Sequence, residues 1–134
     1  MIYIRLWHQD LISKLPRQQL LGQHRECCAL RGNGWGRRHS VVNYVFEYDP
    51  AHLVAYHALI MDEMIKRGYN PDKTWYNRNW RGKTLGEQDN WCDRNECLRL
   101  WENAQEGCHI YFEHNAEYLK ECIENLAGKG IVIE

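Results

Sequence analysis

The stretch Asp49–Gly68, DPAHLVAYHALIMDEMIKRG, constrains the fold more than any other part of the chain. Asp49 is a good helix N-cap, and Pro50 suits the first helical position, where no backbone N–H is needed. Leu53, His57, Ile60, Met61, Met64 and Ile65 recur at helical spacing, so one stripe of this helix is predicted to be buried. Arg67-Gly68 closes it and Pro71 prevents continuation. A helix with this much apolar surface must be covered by other elements.

The rest of the chain offers mostly helices for that purpose. A first one is expected from about Leu15-Pro16 to Leu30, closed by Arg31-Gly32. On it, Leu20, Leu21, His24, Cys27 and Cys28 share one arc, and Gln18, Gln19, Gly22, Gln23, Arg25, Glu26 and Ala29 share the opposite one. Further helices are expected near Asp93–Ala104 and near Asn115–Leu126, the last capped by Asn115 and ended by Gly128. Residues 41–48, VVNYVFEY, suit a short strand or extended segment, and residues 70–90 read as a long irregular connection. The opening MIYIRLW is apolar and β-prone, which suggests an N-terminus held against the body. The expected fold is therefore mainly α: a single compact domain over residues 1–134, three to four packed helices with long loops and little or no β structure.

No apolar run approaches the ~20 residues that span a bilayer, and no signal peptide is evident, so a cytoplasmic protein without membrane contact is expected. The six cysteines read as core thiols, with no metal ligand or cofactor assigned. A zinc-stabilised structural protein is the alternative, because Cys92, Cys97, Cys108, His109 and His114 lie close in sequence, although no CxxC or HxxxH spacing occurs. The net charge of −1 conceals an asymmetry: residues 1–83 carry a net of +6 and residues 84–134 a net of −7. A basic part with an acidic remainder fits a phosphate-binding face on one side of the molecule.

Two segments of the basic part carry the chemistry such a face needs. Gly32–Arg38, GNGWGRR, combines glycines that let backbone amides approach an anion, arginines that pair with phosphate and an indole that can stack on bases. Lys73–Lys83, KTWYNRNWRGK, repeats the combination. The same aromatics could instead pin the loops to the core. Glu26 could be a general acid/base, a metal ligand or a surface ion-pair partner. Among the histidines, His24 and His57 read as core residues, and His39 as the best functional candidate. No GxSxG, HExxH, Walker loop or GxGxxG is present in a context that would support it.

Taken in order, these pieces resemble the small pyrimidine-dimer DNA glycosylases with associated abasic-site lyase activity. The resemblance rests on MIYIRL, the helix segment QQLLGQHRE ending in Arg25-Glu26, His39 with the stretch ending Tyr48-Asp49, KRGYN at Lys66–Asn70, and Trp80-Arg81-Gly82. It covers about residues 1–83. It implies an enzyme for double-stranded damaged DNA that acts as a monomer without a cofactor. The nucleophile it implies is the N-terminal α-amine, with Glu26 serving proton transfers and Arg25 holding phosphate beside it. Residue 2 is isoleucine, which disfavours removal of Met1, so the amine belongs to either Met1 or Ile2. Contacts to DNA are expected from Arg5, Gln18, Gln19, Gln23, Arg31, Trp35, Arg37, Arg38, His39, Trp75 and Arg81. The family's aromatic C-terminal tail is absent here, and Trp35 or Trp75–Trp80 would have to substitute for it.

Overall fold

A computed structural model describes residues 5–37 and 42–133. It is mainly α, with α1 at Arg17–Arg31, α2 at Pro50–Lys66, a single turn α3 at Gly82–Leu85, α4 at Arg94–Gln105 and α5 at Ala116–Gly128. Short 3-10 turns occupy Gln9–Lys14, Asn43–Glu47 and Lys73–Tyr76. Among the described residues the only β pairing is an isolated bridge between Trp80 and Glu87. None of the described helices is long and apolar enough to cross a membrane.

The central helix is α2, packed between α1 and α4 with the Gln9–Lys14 turn laid across it. That position explains its burial, which exceeds one stripe: Leu53, Val54, Tyr56, His57, Ile60 and Met61 are all inside. Ile65, expected in the stripe, is instead 43% exposed at the end of the helix. The Asp49 carboxylate accepts from Ala51 N at 2.8 Å, the cap its position promised. At the other end Arg67 bonds Glu63 at 2.7 Å and donates to the Leu15 carbonyl at 2.7 Å, so the helix terminus is tied to the segment entering α1. Asp93 caps α4 and Asn115 caps α5, each accepting an N–H three residues on.

The expected short strand or extended segment at 41–48 is corrected for its described part. Asn43–Glu47 is a 3-10 turn, with Val45 N donating to Val42 O and Tyr48 N to Val45 O. Among the described residues no strand lies beside it to complete a ladder, whereas the three-residue period puts Val42 and Val45 on one side, and both are fully buried. The β-branched and aromatic character of the segment reports burial, not pairing.

The segment leading to α1 is held as expected from its apolar character. Tyr56 Oη donates to Trp7 O at 2.6 Å, and Tyr118 Oη to Leu6 O at 2.6 Å. Residues 5–8 are thereby clamped between α2 and α5, alongside α1. Met1–Ile4 lie outside the described residues.

Candidate active site

Gln23 organises the site. Its position on the polar arc of α1 predicted a DNA contact, but it is 1% exposed and all of its hydrogen-bonding capacity is used within the protein. Its Oε1 accepts from Trp7 N at 2.6 Å and from Tyr56 Oη at 2.9 Å; its Nε2 donates to Arg5 O at 2.8 Å and to Glu26 Oε2 at 2.9 Å. The correction has a physical cause: a buried amide is tolerated where every polar atom is paired. One side chain thus fixes the N-terminal segment to α1 and holds the Glu26 carboxyl beside it.

Glu26, half-buried next to this junction, is the most perturbed carboxyl described. Burial pushes its pKa up to about 7, against the opposing pull of the Arg5 backbone, the Arg25 and Lys129 charges and the Gln23 amide. A carboxyl with this value exchanges its proton near neutral pH, which is what a general acid/base requires. Gly22 lies one turn earlier, and a Cβ built there would meet only Arg25 Nη2, at 3.7 Å. The helix face at Gly22 is therefore bare beside Arg25, which is exposed. Gln18 is exposed and Gln19 half-buried on the same helix. Arg5 lies over the rings of Trp7 and Tyr118 and reaches Glu121 at 3.5 Å. Lys129, just beyond α5, is a cation near Glu26 that sequence reasoning did not single out.

Past Ala29, α1 runs into a groove of about 630 Å³ lined by Ala29, Gly32, Gly34, Arg37, Trp75 and Lys83, among others. Its walls are the two basic loops, joined by a reciprocal arginine clasp. Arg31, expected to touch DNA, is instead wholly buried and donates to the carbonyls of Trp75 at 2.7 Å, Asn77 at 2.8 Å and Trp80 at 3.1 Å. Arg81 reaches the other way, to Arg31 O at 2.8 Å and Gly32 O at 3.0 Å, satisfying the carbonyl end of α1. Its remaining arm meets Gln88 at 2.9 Å, so its donors serve the fold as well. Gly34 is essential to the fit, because a Cβ there would lie 2.7 Å from Ala29 O.

The aromatics of these loops are tied down too. Trp35 is half-buried, edge-on to Phe46 at 5.1 Å and Trp91 at 5.5 Å, so it pins its loop to the core, the alternative reading of these aromatics. Trp75 packs under the Arg31 guanidinium and against His57 and Trp80, with part of its surface facing the groove. The cations the groove does present are Arg37 and Lys83, both exposed. Met1, Ile2, Arg38 and His39 lie outside the described residues.

The sequence-neighbouring cysteines and histidines do not form the alternative zinc site. Cys92 donates to Arg78 O at 3.5 Å, Cys108 is exposed, and His109 pairs with Asp10 at 2.9 Å. His114 accepts from Gln9 N at 3.1 Å through Nδ1 and donates to Tyr44 Oη at 3.0 Å through Nε2. All six cysteines are free thiols.

A helical body thus holds a perturbed carboxyl at a clamped N-terminal segment, and a groove with basic rims lies further along the same helix. The family described as pyrimidine dimer DNA glycosylase matches residues 4–77, from the N-terminal segment through α1 and α2 into the second basic loop, and the chain belongs to that family. No curated protein and no solved structure matches the chain.

Proposed function

We propose that this protein is a DNA glycosylase with abasic-site lyase activity for UV-induced pyrimidine dimers, with the chain's first α-amine as nucleophile. The observation that carries this reading is the Gln23 clamp. It holds Arg5 O and the Glu26 carboxyl on one amide group, at 2.8 and 2.9 Å. Arg5 is four steps along the chain from Met1, a span that reaches at most about 14 Å. An α-amine has a reference pKa of about 7.7–8.0, so a useful fraction is neutral near pH 7 without burial.

The amine nitrogen attacks the sugar C1′ of the damaged nucleotide, and the bond from C1′ to the base breaks, the base leaving with the electron pair and gaining a proton. Protonated Glu26 serves ring opening, which leaves an iminium at C1′. The ionised carboxylate then accepts a proton from C2′, and the C3′–O bond breaks with release of the phosphate-bearing strand. Water finally hydrolyses the imine. A carboxyl titrating near 7 can fill both the acid and the base role in turn. Arg25, Lys129, Arg37 and Lys83 supply positive charge for the phosphate backbone. The damaged site must be flipped out or kinked to be reached, and the bare face at Gly22 gives the sugar room to approach Glu26.

The test is borohydride reduction of the protein mixed with dimer-containing or abasic duplex DNA. A covalent adduct is expected, lost when the N-terminus is acetylated and reduced about 10²–10⁴-fold in rate by Glu26→Gln. Absence of an adduct, or an adduct unaffected by acetylation, contradicts the mechanism. Salt-dependent binding without strand cleavage would make the protein a DNA-binding module of this family's fold instead.

A further inference from the structure

His24 and Cys28 sit one turn apart on α1, and His57 faces them from the middle of α2. His24 Nδ1 and His57 Nε2 are 2.8 Å apart, and Cys28 Sγ lies 3.9 Å from Nε2 of each histidine. One donor atom from each residue falls within 4.8 Å of the others. Zinc bonded to two imidazoles and a thiolate holds such atoms about 3.3–3.6 Å apart, from Zn–N near 2.0–2.1 Å and Zn–S near 2.3 Å. The separations bracket that range, and small side-chain rotations bring them into it. We propose that His24, Cys28 and His57 form a zinc-binding site that staples α1 to α2, with a fourth position opening toward the groove that Cys28 also lines.

The donor set and the charge balance are both compatible with zinc. The donors are two imidazoles and a thiol, the set that suits zinc and not magnesium or calcium. The neighbouring cation does not oppose it. Arg31 donates to His57 Nδ1 at 3.0 Å, so neutral His57 carries its proton on Nε2, toward His24. Zinc binding releases that proton and the Cys28 thiol proton. Two protons leave for one divalent ion, so the net charge beside the buried guanidinium is unchanged. Arg31 keeps its bond to Nδ1 and balances His57, which then ligates as an imidazolate.

A second cluster of possible donors, His8, Asp10 and His109, has no thiol and is partly exposed, which makes it a control. The full chain, stripped with a chelator, should bind one Zn²⁺, and Co²⁺ should show a thiolate-to-cobalt charge-transfer band. Cys28→Ser should abolish the band and weaken Zn²⁺ binding by at least about tenfold, while His109→Ala changes neither. Alkylation of the unaltered chain gives a readout independent of any variant's folding: Zn²⁺ should protect Cys28 from iodoacetamide. A missing cobalt band, a band retained in Cys28→Ser, or equal alkylation of Cys28 with and without Zn²⁺ overturns the proposal.

Discussion

In the proposed mechanism Gln23 is a positioning residue and Glu26 carries the proton. Replacing Gln23 by Met keeps the bulk and leaves Tyr56 its bond to Trp7 O, but strands the buried Trp7 N–H, and should cost about 1–3 kcal/mol in urea unfolding. The same variant should shift the pH dependence of cleavage, because Glu26 loses its Gln23 bond; a purely structural role would leave that profile in place. Glu26 itself opposes folding when ionised. Its pKa rises from the ordinary 4.5 to about 7 in the folded protein. The penalty is thus absent below the unfolded value, grows as pH rises between the two and is complete above about 7. Glu26→Gln should be more stable than the parent by about 1–2 kcal/mol at pH 8 and equal to it near pH 4, as thermal melts at the two pH values would show. Residue type alone misled at Gln23 and Arg31. Both read as surface polar groups, yet their partners lie 18 and up to 49 positions away, at Arg5 and at Trp80. Such long-range pairing leaves no local pattern in the chain.

The elements were legible where their ends were. Asp49 and Asn115 cap as their positions suggest, Asp93 caps the helix expected to begin there, and Asp49→Ala should destabilise the protein by about 1 kcal/mol in chemical denaturation. Residues 43–47 were not legible as a turn, because Val and Tyr favour strands and buried 3-10 turns alike. The two basic loops were identified as a pair, but their mutual fastening was hidden. Arg31→Leu removes donors from three loop carbonyls and should both destabilise the protein by about 3 kcal/mol and raise amide hydrogen exchange selectively across residues 75–80. Unchanged exchange in that loop would show the clasp to be unimportant for its order.

Across the whole molecule, the division of charge acquires a location. Arg25, Arg37 and Lys83 lie exposed along α1 and its continuing groove, whereas Gln23, Arg31 and Arg81 give their polar atoms to the protein itself. Binding to duplex DNA should therefore weaken with salt, and Arg37→Ala and Lys83→Ala should each lower the slope of log affinity against log salt by about 1. Arg25→Ala should do the same and also slow cleavage. The central claim is chemical: the first amine of the chain and Glu26 serve one reaction at the Gln23 junction. Peptide mass spectrometry of the borohydride-reduced adduct tests it directly. The account predicts a sugar remnant on the N-terminal α-nitrogen; a remnant on Lys129 Nζ, or on any other lysine, would contradict it.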